Sequence, residues 1–273
     1  MKIVGISGRK QAGKNTAANI FHGIVLENYG LAQDWKIDDK GALQVLTHDA
    51  VGNLGWGEFD VARKDSEFAM YAENNMWPYV KLYTFADELK NICVNLFEIP
   101  FECAWGTDEQ KSTIQKHLLW ENMPGVITPE LDPSEIVRDY GDVDPTLLGL
   151  TVHEPGPMTA REFMQFLGTE VMRKIFEPIW VNATIKKIKA EGTQLAIIAD
   201  VRFPNEAKAI EDANGLLVRL SRSPLEDAHD SETALNDYPF KHHMDNQNVE
   251  LHTFIQIART FFHNNLASNG RPS

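Results

Sequence analysis

A chain of 273 residues suffices for one large domain or one domain with insertions, and 43% hydrophobic with 24% charged residues describes an ordinary soluble globular protein. A formal net charge of −13 argues against broad, sequence-independent binding of nucleic acid, which needs a basic face, but leaves room for a small anion held by local cations and backbone N–H groups. No apolar run approaches the ~20 residues that cross a bilayer, and Arg9 and Lys10 interrupt the N-terminus too early for a secretory signal.

In chain order, residues 2–6 predict a short buried strand and residues 14–27 a helix, with Ala17, Ile20, Phe21 and Ile24 on one face. Residues 30–78 show no clear period and are rich in Gly, Asn, Asp and Trp, which predicts loops and short helices. Residues 79–85 alternate like a strand, and 87–97 return to helical spacing. Cys93 and Cys103 lack metal-ligand spacing; they could pair, but two cysteines in a chain this size more often mean reduced, partly buried thiols in a cytosolic protein. Pro and Gly punctuate residues 106–157, which predicts a second insertion.

At "TARE" Thr159 opens a helix with a capping box, because Glu162 follows three residues later. Pro178 breaks or kinks that helix, and a further helical stretch runs to about residue 191. "LAIIA" at 195–199 is a fully apolar strand, Pro204 fits the first turn of the next helix, and Gly215 ends it. "LLVRL" is another strand, and a polar stretch at 221–241 precedes a last helix at 249–262. Strands alternating with helices predict a single α/β domain whose mostly parallel sheet is covered on both faces.

The first chemical signal is "GRKQAGKNT". Gly8, Gly13 and Lys14 fit the phosphate-loop pattern G-x-x-x-x-G-K-[ST], but Asn15 stands where Ser or Thr belongs and Thr16 comes one place late. The stretch leaves an apolar strand and enters an amphipathic helix, the context in which loop N–H groups and a helix N-terminus surround phosphate. Lys14 would reach the outer phosphates. In the G-K-x-T variant Thr16 would carry the hydroxyl placed near Mg²⁺.

"LAIIADVRF" ends an apolar strand in Asp200, at the sheet edge where open α/β folds bind ligands. Beside a phosphate loop Asp200 would hold Mg²⁺ or its waters, and Arg202 follows two residues on. The alternative is an Asp200 that caps the Pro204 helix and pairs with Arg202. Arg161, Gln165 and Thr169 recur every four residues, giving a polar stripe suited either to a phosphate and a base edge or to solvent. Gly168 sits mid-helix at a cost of about 1 kcal/mol against Ala, which implies a close approach to the backbone. Arg219, Arg222 and the "HDSET" segment at 229–233 could belong to a mobile lid, with Arg222 the candidate cation over ATP; an ordinary exposed loop is the alternative.

Six stretches together resemble the phage-type deoxynucleoside monophosphate kinases: "GRKQAGKNT", "FADELKN", "GTDEQKST…HLLWENMPG", "GPMTAREFMQFLGTEVMRKIFEPIWVNATI", "IIADVRFPNEAKAI" and "HDSETAL". They occur in the family's order, cover most of the chain apart from residues 30–78, and are most specific at 157–185. The resemblance implies an adenylate-kinase-like P-loop fold and transfer of the ATP γ-phosphate to a deoxynucleoside monophosphate, supplying DNA precursors. It places Gly8, Lys10, Ala12, Gly13, Lys14, Asn15 and Thr16 in the ATP loop, with Mg²⁺ near Thr16 and Asp200. Lys90, Arg161, Gln165, Gly168, Thr169 and Trp180 would bind the monophosphate, and Arg202 and Arg222 would assist transfer. The family often has Asp where this chain has Asn15, and Ser where it has Ala12.

The partners so implied are small nucleotides, with neither nucleic acid nor membrane, in the cytoplasm, which is the host's if a phage encodes the chain. The insertions could serve as a substrate lid or as the interface of a homodimer, and 222–241 as a lid. Rival readings are a kinase for another small acceptor, such as dephospho-coenzyme A, and an assembly or switch ATPase. The latter would want an acidic residue beside Asp200, where Val201 stands.

Overall fold

The computed structural model describes residues 1–48, 52–63, 66–128, 150–222 and 234–267. Its contacts divide the chain into two compact units, Met1–Phe85 with Val181–Ser273, and Ala86–Trp180.

The first unit is built on β1 (Lys2–Ser7), β5 (Val80–Tyr83), β10 (Leu195–Val201), β11 (Leu216–Leu220) and β12 (His242–Met244). These strands form one parallel sheet in the order β12-β11-β1-β10-β5. Period-two alternation sends its side chains to two separate cores. Val4, Ile6, Ile197 and Val218 pack with Ile20, Phe21 and Ile24 of α1 (Lys14–Asn28) and with Phe254 and Ala258 of α9 (Leu251–Asn265). Ile3, Ile198 and Leu217 pack on the other face with Val181 and Ile188 of α7 (Ile179–Glu191) and with Ala207 and Ile210 of α8 (Pro204–Asp212). The expected three-layer α/β arrangement of a P-loop kinase is therefore present.

Residues 30–78 depart from expectation. Instead of mainly loops and short helices, they contain an antiparallel sheet of β2 (Asp34–Ile37), β3 (Leu43–His48) and β4 (Leu54–Glu58), followed by α2 (Ser66–Asn75). Trp35, Ile37, Leu43 and Val45 turn inward and join the core shared with α1, so alternation over two short strands is enough to fix the sheet. β4 carries no such alternation: all five of its residues are exposed, and Gly55 and Gly57 flank Trp56.

The second unit contains α3 (Asp87–Leu96), α4 (Phe101–Trp105), α5 (Asp108–Lys111) and an antiparallel pair, β6 (Ile114–Leu119) with β9 (Pro157–Thr159). A short parallel pair follows, β7 (Val126–Ile127) with β8 (Thr151–Val152). The capping box at Thr159 forms as read: its hydroxyl accepts the Glu162 N–H at 3.2 Å, and Glu162 Oε2 accepts the Thr159 N–H at 2.7 Å. It starts α6 (Ala160–Gln165), which passes into a π-helical segment at Phe166–Arg173. Phe163, Phe166 and Leu167 enter a core with Cys93, Cys103 and Met158.

Candidate functional site

The loop that follows β1 takes backbone shapes that side chains resist. Gln11 has φ 58° and Gly13 φ 93°, and a Cβ on Gly8 would come within 3.1 Å of both Ala12 and Leu220. Gly8 is thus required by close packing and Gly13 by its left-handed conformation. The turn delivers the chain into α1, whose first N–H groups have no intrahelical partner and carry the positive end of the helix dipole. Lys14 folds back over this loop, donating from Nζ to the Gly8 carbonyl and to the Arg9 carbonyl at 2.9 Å.

Opposite the loop, β10 ends irregularly. Gly5 and Ser7 of β1 pair with Ile198 and Val201, so β10 carries one extra residue around Ala199 and Asp200. A bulge of this kind re-aims a side chain at a strand end. At the entry to α8, Glu206 Oε2 accepts the N–H groups of Arg202 at 2.8 Å and Phe203 at 3.1 Å. Pro204 occupies the first turn of that helix as expected.

One cavity of about 520 Å³ brings these pieces together: Lys10, Ala12, Gly13, Lys14, Asn15 and Thr16 line it with Asp200, Arg202 and Arg222. Gly8 packs close to Ala12 of this lining, 3.1 Å from where its Cβ would stand. Counting Lys40 and Asp39, five cationic and two acidic residues face the cavity, a local excess of positive charge within a chain of net −13. That environment favours a polyanion. Thr16 and Asp200 offer a hydroxyl and a carboxylate oxygen, hard donors that suit Mg²⁺ shared with phosphate oxygens. Among the described residues no cluster of three or more His, Cys, Asp or Glu is arranged to hold a metal alone.

Two features of this site escaped the sequence reading. Asn246 is 4% exposed; its Nδ2 donates to the Ala12 carbonyl at 2.7 Å, and its Oδ1 accepts the Arg222 N–H at 2.9 Å. The turn between β2 and β3 supplies Asp39, Lys40 and Gly41 to the cavity wall. Of the expected lid, Arg222 lies on the cavity, whereas residues 223–233, with His229 and the rest of "HDSET", fall outside the described residues. Arg219 instead donates to the Ser7 hydroxyl at 2.9 Å and to Asn236 at 3.2 Å.

The remaining candidates lie in the second unit. Gln165 and Thr169 are exposed and Arg161 is partly so, while Phe163, Phe166 and Leu167 are buried, so the polar stripe and its apolar reverse side are both present. Arg161 Nη2 contacts Asp108 Oδ1 at 2.6 Å, with Asp108 almost fully exposed. Such a solvated pair is worth only about 0–1 kcal/mol and exchanges readily for a phosphate. Lys90 Nζ lies 4.4 Å from the centre of the Trp105 ring. The close approach inferred at Gly168 is made by Leu89, whose Cδ2 would be 2.7 Å from an added Cβ. Trp180 is 4% exposed and donates its indole N–H to the Gly168 carbonyl at 3.0 Å. Segments of π-helix are rare and gather at functional sites, and this one carries Gly168 and Thr169.

A model of the family described as deoxynucleotide monophosphate kinase matches residues 139–253. Over that stretch, less than half of the chain, the sequence is similar to the deoxynucleotide monophosphate kinase family. It is 27% identical over 167 residues to a protein of Acanthamoeba polyphaga mimivirus provisionally named as a deoxynucleotide monophosphate kinase, an alignment spanning 56% of this chain and 67% of that one. It is 35% identical over 60 residues to the deoxynucleoside-5'-monophosphate kinase of Escherichia phage T5, spanning 22% of this chain and 24% of the phage protein. The family match takes in Arg161, Gln165, Trp180, Asp200 and Arg222, and ends before Phe254 on the cavity wall. The deoxynucleotide monophosphate kinase match starts well after Lys14 and does not take in the glycine loop.

Proposed function

We propose that the protein is a deoxynucleoside monophosphate kinase that transfers the γ-phosphate of ATP to a deoxynucleoside monophosphate, giving the diphosphate and ADP. The observation that carries this reading is the convergence of the glycine loop, Lys14, Thr16 and Asp200 on one cationic cavity at the carboxyl edge of a parallel sheet. The names of the viral relatives support the acceptor class.

The N–H groups of residues 10–16 bind the ATP phosphates, and Lys14 exchanges its loop carbonyls for the outer phosphate oxygens. Thr16 and Asp200 would hold Mg²⁺, which would supply neutralisation of charge on the phosphates. Arg202 and Arg222 add donors from the cavity wall, where charge spreads over the equatorial oxygens. In the second unit Arg161 trades Asp108 for the acceptor phosphate, with Lys90, Gln165, Gly168, Thr169 and Trp180 completing or supporting the acceptor site. These residues position and neutralise; transfer between phosphates needs no strong general base.

Both units are read as parts of one P-loop kinase, with insertions at about 30–78 and 106–157. The insertions are the candidate surfaces for a homodimer, and small nucleotides are the partners. Buried free thiols at Cys93 and Cys103 support a reducing cytoplasm as the place of action.

The test is ADP release from Mg·ATP, with each deoxynucleoside and ribonucleoside monophosphate offered in turn beside Lys14→Ala. Turnover that requires one or more deoxynucleoside monophosphates and Lys14 supports the reading. Turnover without any acceptor, or none with every acceptor while ATP binds, overturns it.

A further inference from the structure

The turn at residues 38–42 is far more constrained than an exposed loop in an insertion requires. Asp38 Oδ1 accepts the N–H groups of Lys40 and Ala42, each at 2.9 Å, and Oδ2 accepts from Gln44 Nε2 at 3.3 Å. The backbone closes twice more, from Gly41 N to Asp38 O at 2.9 Å and from Asp38 N to Ala42 O at 3.0 Å. The Ala42 N–H foremost, with that of Lys40, holds the Asp38 carboxyl below the ordinary carboxylate range. Gly41 takes φ 83°, which favours glycine.

This rigid turn is tied to the phosphate-loop helix. Asn19 Nδ2 donates to the Gly41 carbonyl at 2.8 Å, and a Cβ on Gly41 would stand 2.4 Å from Thr16 Oγ1. Leu43, fully buried, anchors the following strand in the core that α1 shares. The result is a lysine, Lys40, brought by the insertion to the same cavity wall as Lys14 and Thr16.

We propose that Lys40 is a further ATP-phosphate-binding residue, and that Asn19 positions it through the Gly41 carbonyl. The inference rests on the kinase reading, and specifically on ATP occupying this cavity. A lysine carried on a backbone fixed before the ligand arrives loses less conformational freedom on binding than one on a mobile loop. Its charge acts beside Lys14 on an anion that the loop N–H groups alone neutralise only in part. The turn also packs against the Thr16 hydroxyl, so insertion and loop form one wall rather than two.

The experiment is titration of the full-length protein with ATP by calorimetry, without acceptor, at low and moderate salt. The variants are Lys40→Ala, Lys40→Arg and Asn19→Ala. Lys36→Ala, which alters a lysine over the Trp56 ring, is the control. Lys40→Ala is expected to weaken ATP about 10-fold and to flatten the salt dependence of Kd, as loss of one charge-assisted contact should. Lys40→Arg restores most of the affinity, Asn19→Ala weakens ATP in the same direction by less, and Lys36→Ala leaves it unchanged. A Lys40→Ala protein that binds ATP like the wild type, with the same salt slope, overturns the role of Lys40 and leaves the kinase reading standing. Wild-type protein that fails to bind ATP overturns both.

Discussion

Asn246 joins the glycine loop after β1 to Arg222, just past β11: it donates to the Ala12 carbonyl at 2.7 Å and accepts the Arg222 N–H at 2.9 Å from a nearly buried position. The pair needs a donor and an acceptor on one short side chain, which Asn supplies and neither Asp nor Leu does. Asn246→Leu leaves Ala12 O and Arg222 N to find new partners, a loss of about 1–3 kcal/mol for each group left unsatisfied in the interior. Thermal unfolding should show a lower midpoint, and ATP affinity should fall with it, because the loop is no longer tethered. An Asn246→Leu protein with wild-type stability and ATP affinity would sink this role.

Lys14 sits at the loop itself, its ammonium donating to the Gly8 and Arg9 carbonyls. Lys14→Ala should change the melting temperature of the nucleotide-free protein little. It should remove most of the stabilisation that Mg·ATP confers and lower turnover by at least ~100-fold, the scale of losing one preorganised donor. Thermal shift with and without Mg·ATP, read beside ADP release, checks both halves. An unaltered shift with ATP would mean that the lysine does not reach the phosphates.

The sheet, the loop and the capping box were legible because each is written in local sequence. Residues 195–199 are an unbroken apolar run, Gly8, Gly13 and Lys14 keep fixed spacing, and Thr159 stands three residues before Glu162. Asn246 could not be read this way. Its partner Ala12 lies 234 residues earlier, and one Asn in a polar stretch carries no pattern. The sheet of residues 34–58 was missed because only β2 and β3 alternate, over four and six residues, while β4 is exposed throughout. Gly168 was legible as a close approach, but not its cause: Leu89 and Trp180 reach it from other segments, and no local spacing announces a π-helical segment.

Gly168→Ala sets two effects against each other. Removing a mid-helix glycine favours helix by about 1 kcal/mol, whereas a Cβ placed 2.7 Å from Leu89 Cδ2 overpacks a filled space at about 1–3 kcal/mol. Overpacking should win, so the single variant unfolds at lower denaturant. Adding Leu89→Ala relieves the clash, and the double variant should lose less than the two single losses summed. Strict additivity in a double-mutant cycle would show that Leu89 is not the obstacle.

Cys93 is fully buried, and burial pushes its thiol up to about 12. Because the thiolate is the reacting species, the folded protein should resist a thiol reagent at pH 8 at this position. Denaturant should then release two reactive thiols, since Cys93 and Cys103 are both free. Peptide mapping after brief alkylation locates the label, and rapid native modification of Cys93 would contradict the buried placement.

Glu191, at the end of α7, ties β5 to the turn before β10. Its Oε2 accepts from Lys81 Nζ and from the Tyr83 hydroxyl, both at 2.7 Å, and that hydroxyl also lies 3.0 Å from Thr193 Oγ1. Burial raises the Glu191 carboxyl, but the hydrogen bonds from Lys81 and Tyr83 outweigh it and hold the group below the ordinary glutamate range. A carboxyl depressed on folding contributes stability above its unfolded value and loses it as pH falls through the folded one. The wild type should therefore lose stability on acidification below the ordinary glutamate range. Glu191→Gln, which keeps the shape but not the charge, should be less stable near neutral pH and lose less across that window. Denaturant melts of both proteins at stepped pH read the difference directly, and parallel curves would remove Glu191 from the account of acid sensitivity.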